Sequence, residues 1–301
     1  MALFKSPVTA DLRELDLTGG ESFLRNDLVD FFHGLFHIRH THLKQLKAVA
    51  LTTNGFLTKR VLTWIPDILD ILKHENIELV IVCAMDAAGP LHDRIRNVRD
   101  GWAKLDATLQ GLICLRERYP NLIIGVKTTI MPINIDELDK ISDYADSNNL
   151  FTIVSPVIIT GGRYLNTDLA NNLAFTGEDY LRMIRFFRKK SSGWSYHDHR
   201  LIDYFHTGIM KKACTCGFNY FFVRSNGDMY LCPLIDRSVG NISRQSPESI
   251  FFPFRQTIYA NKSAILMNAG FVVSLDWSDS VFQWMVLPIC DFYTKSAVPH
   301  L

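Results

Sequence analysis

The sequence predicts an α/β protein built on a parallel sheet or barrel, and three observations carry that prediction. Short apolar runs alternate with amphipathic stretches of helical length from residue 12 to about residue 158. The first three apolar runs end near glycine, asparagine or a carboxylate, residues that break a strand and open a turn. The composition, 48% hydrophobic and 21% charged over 301 residues, suits a chain with a sizeable core.

The first strand is expected over residues 12–17, where Leu12, Leu15 and Leu17 supply the apolar pattern, and Thr18-Gly19-Gly20 breaks it. Glu21 stands at the exit of that turn, and Asn26 or Asp27 can cap a helix over 27–39 carrying Leu28, Val29, Phe31 and Phe32. A second strand over 48–52 runs into Thr53-Asn54-Gly55, followed by a helix over 57–73. The third, over 77–84, ends just before Asp86 and precedes a helix over 101–119. The fourth, over 122–130, holds Lys127 among apolar neighbours, a costly position unless the ammonium is paired or reaches solvent. Asp136 is an N-cap candidate for a helix over 136–147 with Leu138, Ile141, Tyr144 and Ala145 at helical spacing; a fifth strand is expected over 151–158. In such βα repeats ligand sites lie at the carboxyl ends of strands, so Gly19, Gly20, Glu21, Thr53, Asn54 and Asp86 are expected on one rim.

Beyond Ile159 the pattern fades into a loop through Thr160-Gly161-Gly162-Arg163 and an Asn-rich stretch over 166–173, with helices expected over 178–190 and 195–211. His197, His199 and His206 do not share a helical face and read as surface or capping residues. From Cys214 the character changes: apolar runs over 218–223 and 229–231 flank Arg224-Ser225-Asn226-Gly227-Asp228, a hairpin signal. The hairpin brings Cys214 or Cys216 close to Cys232, and thiolates suit an iron–sulfur cluster or zinc. Cys83 and Cys114, inside apolar runs, are expected to be buried.

A net charge of +1 offers no electrostatic case for nucleic acid, and the longest apolar run, near Leu79 to Met85, is too short to cross a bilayer. The start, Met-Ala-Leu-Phe-Lys-Ser-Pro, has no signal-peptide core, and six cysteines in a chain of this size do not suggest a secreted disulfide framework, so a cytoplasmic location is the expectation.

Three stretches in order resemble the radical S-adenosylmethionine (SAM) superfamily. Thr18-Gly19-Gly20-Glu21 resembles its GGE segment, and Thr52-Thr53-Asn54-Gly55 its T-N-G strand end. Ala84-Met85-Asp86 with Gly89-Pro90-Leu91-His92-Asp93-Arg94-Ile95-Arg96 resembles its S-L-D-G…H-D-x-I-R segment. The resemblance covers residues 10 to about 160. The cysteine-bracketed hairpin, with Cys232-Pro233 and Val239-Gly240-Asn241-Ile242, resembles the SPASM or Twitch extension that carries auxiliary clusters. It implies a partial (β/α)6 TIM-like barrel missing its first strand unit over 1–205 and a small cysteine-containing extension over 206–301.

By that resemblance one electron cleaves SAM to methionine and a 5′-deoxyadenosyl radical, which abstracts hydrogen from an unactivated C–H bond. Gly19, Gly20 and Glu21 would hold the methionine amino group, Thr53 and Asn54 would border the SAM site, and Asp86 would end the third strand of this sequence. The family serine two residues before that aspartate is Ala84 here, which weakens the Asp86 assignment. Lys127 would face the barrel interior, toward Glu21, SAM or a substrate acid, or else solvent. Cys214, Cys216, Cys232 and Cys290 would ligate one auxiliary 4Fe–4S cluster. The implied partners are a peptide, protein or small-molecule substrate and an electron donor such as a flavodoxin or ferredoxin.

The superfamily's C-x3-C-x2-C loop, which holds the SAM-binding cluster, does not occur in the sequence. The reading is therefore a truncated or degenerate member, inactive as written, with the edge beside residues 12–17 exposed and prone to aggregation. Two alternatives follow from the same gap: a non-catalytic barrel acting as a binding module, and a structural zinc protein using Cys214, Cys216 and Cys232.

Overall fold

The computed structural model describes all residues except 162–163, 191–195, 211–216, 218–219, 261–270 and 277–301. A short helix α1 (Ala2–Lys5) leads into β1 (Leu12–Thr18), α2 (Leu28–His42), β2 (Ala48–Thr53), α3 (Thr58–Lys73) and β3 (Glu78–Ala84). Then come α4 (Pro90–Arg96), α5 (Gly101–Arg118), β4 (Leu122–Ile130), α6 (Leu138–Ser147) and β5 (Phe151–Pro156). Helices α7 (Ala170–Leu173), α8 (Gly177–Lys190) and α9 (Tyr196–Thr207) precede the hairpin β6 (Tyr220–Val223) and β7 (Asp228–Tyr230). The bridge strand β8 (Gly240–Asn241), α10 (Pro247–Ala260) and β9 (Phe271–Asp276) complete the described elements.

Strands β1 to β5 are parallel neighbours in sequence order and form a curled half-barrel sheet, as the alternating pattern predicts. Alternation along the strands separates two faces. One presents Leu15, Leu17, Val49, Leu51, Leu79, Ile81, Ile124 and Val126 to the helices, where they bury against Phe32, Leu35, Val61, Ile65, Leu105 and Leu109. Each such side chain removed from water stabilises the fold by about 1.5–3 kcal/mol. The inner face is lined by Ala50, Val80 and Val82, with Ile123, Phe151 and Ile153 packed against them. Helices α8 and α9 form a separate cluster, Met183, Ile184, Phe187 and Leu201, against Ile130 and Val154 at the far edge.

Strand β9 corrects the expected open edge. It runs parallel to β1 on one side, pairing Asp16 with Ser274 and Leu17 with Leu275, and parallel to β6 on the other, pairing Phe222 with Ser274. The sheet order is β5-β4-β3-β2-β1-β9-β6-β7-β8. The backbone groups of β1 are therefore satisfied on both sides, because an apolar segment distant in sequence returns to them.

Local starts differ from expectation where a side chain found a better partner. Asp27 sits at the N-cap of α2, but its carboxylate is held by Arg25 rather than by the helix. The helix expected at Asp136 begins instead as a 3-10 turn over Pro132–Glu137, and α6 follows at Leu138. Cys83 is buried as expected; Cys114 is exposed, because it falls on the outer face of α5.

Candidate functional site at the strand ends

The polar residues of the sheet gather at the carboxyl ends of β1 to β4. Gly19 has φ 137, a conformation that costs a side-chain-bearing residue heavily, and it turns the chain so that Glu21 points back toward β2. The Glu21 carboxylate takes three hydrogen bonds. Oε1 accepts from Thr53 Oγ1 at 2.8 Å and from the Phe23 amide at 3.1 Å, and Oε2 accepts from the Asn54 amide at 2.7 Å. A carboxylate oxygen has two acceptor positions, so among the described residues Oε2 keeps one open. Burial raises the Glu21 pKa, opposed by these hydrogen bonds and by the nearby Arg96 guanidinium.

Thr53 and Asn54 are therefore the residues that hold Glu21. The Thr53 hydroxyl also accepts from the Gly55 amide at 3.1 Å, and the Asn54 side chain accepts from the Phe56 amide at 2.8 Å, closing its own turn. Gly20 lies in the same bend as Gly19.

Asp86, fully buried, stands one strand further on. Its carboxylate pairs with Arg96 Nη2 at 2.8 Å and accepts from the Thr129 amide at 3.1 Å. Its own amide donates to His92 Nδ1 at 3.2 Å, and Asn134 Nδ2 donates to both the Asp86 and Thr129 carbonyls, at 2.9 and 3.0 Å. Burial raises the Asp86 pKa against the opposing charges of Arg96 and Lys127, and lowers Arg96 to about 10. His92 is neutral, its pKa pushed down to about 4 by desolvation and then by Arg96.

Lys127 is 8% exposed and stands beside Ala84 and Ile153 in the sheet register, on the inner face. The interior position holds and the solvent position does not. Glu21, Asp86, Arg96 and Lys127 together make a rim with two negative and two positive groups, each felt by at least one other.

The structure thus brings together the strand-end residues singled out from sequence and adds Arg96, His92, Thr129 and Asn134. Arg96 and His92 stood in the quoted Gly89–Arg96 stretch, but their roles depend on α4 folding back onto Asp86. Asn134 carried a weaker signal, a polar residue two positions after a proline at a strand exit. Of the cysteines assigned to a metal, Cys214, Cys216 and Cys290 lie outside the described residues; Cys232, after β7, is half-buried. No group of three metal-capable side chains is assembled among the described residues, nor is any helix among them long and apolar enough to cross a membrane.

An open parallel α/β half-barrel with a charged, hydrogen-bonded rim at its carboxyl end, extended by a cysteine-bearing hairpin, defines the class of protein. Comparison with known proteins narrows it. The iron–sulfur cluster-binding domain SPASM matches residues 214–261. Sporulation killing factor maturation protein SkfB of Bacillus subtilis (strain 168) is 23% identical over 246 residues, 80% of this chain and 54% of that protein. The solved structure of hexahistidine-tagged anSMEcpe with bound AdoMet superposes with a TM-score of 0.57 at 18% identity, covering 83% of this chain and 66% of the other. Native anSMEcpe with bound AdoMet superposes with a TM-score of 0.55 at 17% identity, covering 83% and 70%. The chain spans little more than half of the curated relative it matches. The chain thus shares the fold of these solved structures and carries a segment matched by the SPASM iron–sulfur cluster-binding domain.

Proposed function

We propose that the chain is built for radical SAM chemistry on a peptide or protein substrate and, without the C-x3-C-x2-C loop, is inactive as written. In this reading residues 1–205 form the barrel part, whose rim holds the methionine end of SAM. Residues 206–301 form an extension in which Cys214, Cys216, Cys232 and Cys290 hold an auxiliary 4Fe–4S cluster, and a flavodoxin or ferredoxin supplies electrons. The peptide substrate is argued by analogy with anSMEcpe, solved with AdoMet and the Kp18Cys peptide (TM-score 0.51, 17% identity), and with the maturation protein SkfB.

The observation that carries the reading is the open acceptor position on a half-buried, preorganised carboxylate, Glu21 Oε2. An ammonium group is the donor that such a desolvated carboxylate favours most. The residues present therefore fit the methionine end of SAM. When bound, SAM supplies on one-electron reduction a carbon-centred radical able to take hydrogen from the substrate. The chain's own contribution is positional. Thr53 and Asn54 fix the Glu21 carboxylate, Gly19 and Gly20 offer bare backbone beside it, and the Asp86–Arg96 pair locks the next strand end. Lys127 places a cation on the inner face for an acidic group of SAM or substrate. The described residues include one of the four candidate cluster thiols, so the reading rests on the SAM rim and not on cluster geometry.

Equilibrium dialysis of the full chain against SAM and 5′-methylthioadenosine, which lacks the methionine end, tests it. Glu21→Gln is expected to weaken SAM binding about 10- to 100-fold, the worth of one hydrogen bond to a charged group, and to leave methylthioadenosine unaffected. Equal SAM binding by the variant would overturn the assignment. Anaerobic reconstitution with iron and sulfide tests the extension: the wild type should take up about four irons and a Cys214/Cys216/Cys232 triple serine variant should not.

A further inference from the structure

The outward face of α2 carries chemistry that neither the core nor the rim uses. Asp30, His33, His37 and His40 are all exposed. At i, i+3, i+7 and i+10 they form one stripe along the helix, opposite the buried Leu28, Phe32, Leu35 and Ile38. His40 is engaged: its Nε2 lies 3.1 Å from Glu75 Oε1, and Arg39 shares that carboxylate at 3.4 Å. Among the described residues Asp30, His33 and His37 have no hydrogen bond, ion pair or ring contact.

Two imidazoles one turn apart on a helix are spaced to close on a single late first-row metal ion, the arrangement helix-borne zinc sites use. A carboxylate three residues before the first histidine is a second recurring helix spacing for metal ligands. We propose that His33 and His37, with Asp30 as third ligand and water completing the shell, form a surface chelate for a divalent late first-row ion such as zinc. In the resting side-chain positions no such group of three converges among the described residues. The ion therefore gathers its ligands by rotating exposed side chains, at a cost in rotamer entropy that keeps the site exchangeable. This site is independent of the SAM rim, and zinc bound here would not report on the cysteines of the extension.

Cobalt(II) titration of the full chain, read by absorption and followed by displacement with zinc, separates the two donor sets, since thiolate ligands give intense near-ultraviolet charge-transfer bands and imidazole and carboxylate do not. The expected result is a cobalt species with weak visible bands, separate from any thiolate species, whose affinity falls at least about tenfold in a His33→Ala/His37→Ala variant, as loss of a metal's own ligands requires. Asp30→Asn should weaken it less. His42→Ala, off the stripe, should leave it unchanged. All four positions are exposed or half-exposed and alanine favours helix, so circular dichroism should show these variants folded. Unchanged affinity in the double variant, or a spectrum made up solely of thiolate bands, would overturn the proposal.

Discussion

Asp86 and Arg96 show how much one buried pair can decide. Neither side chain reaches solvent, the pair closes at 2.8 Å, and the remaining Asp86 oxygen is held by the Thr129 amide. Removing one partner leaves the other charged group buried without its main counter-charge. Arg96→Met or Asp86→Asn alone should therefore cost about 3–5 kcal/mol in urea denaturation. The double variant Asp86→Asn/Arg96→Met should cost clearly less than the sum, since it strands no charge. Strict additivity would mean that the two act separately. At this scale the sequence was readable where a residue sits at a strand end beside a glycine, as Glu21 does. It was not readable where a role depends on a returning helix, as with Arg96 and with His92 beneath the Asp86 amide.

Elements were legible where periodicity was strong. Strands β1 to β4 and helices α3 and α5 fall within a residue or two of the positions expected from apolar spacing. Strand β9 was not, because a six-residue apolar segment far along the chain carries no sign of which edge it will pair with. A close approach inside the sheet was also invisible. A Cβ built on Gly125 would collide with the Phe151 ring, which covers the glycine from the neighbouring strand. Gly125→Ala should cost about 1–3 kcal/mol by overpacking. That cost should largely vanish in a Phe151→Ala background, a coupling measurable by a double-mutant cycle. The pairing of β9 makes a second prediction at this scale. Truncation after Ala260 removes the strand between β1 and β6 and bares the β1 edge. The shortened chain should aggregate in light scattering and lose amide-exchange protection across residues 14–18, whereas the full chain should retain it.

For the whole molecule, Glu14 and His92 make opposite contributions to the dependence of stability on pH. Glu14, half-buried on the inner face of β1, is raised from 4.5 to about 7, first by desolvation and then by Asp16 and Glu78. Between those values the folded state holds a proton that the unfolded chain has released, so stability falls as pH rises through that window. The loss is complete above about 7 and amounts to about 3 kcal/mol. His92 works the other way. Its pKa is depressed from 6.5 to about 4, so the unfolded chain takes up a proton first on acidification, and stability falls as pH drops from 6.5 toward 4. The windows overlap between about 4.5 and 6.5, where these two contributions have opposite sign and comparable size and largely cancel each other. Glu14→Gln removes one of them. The variant should be more stable than the wild type at pH 8, by an amount of order 3 kcal/mol, and this advantage should shrink steadily as pH falls from 7 to 4.5. Urea midpoints at pH 4.5, 6.5 and 8 measure both effects. A Glu14→Gln curve parallel to that of the wild type at all three would show that Glu14 is ionised inside the barrel and that its acidic neighbours do not hold its proton.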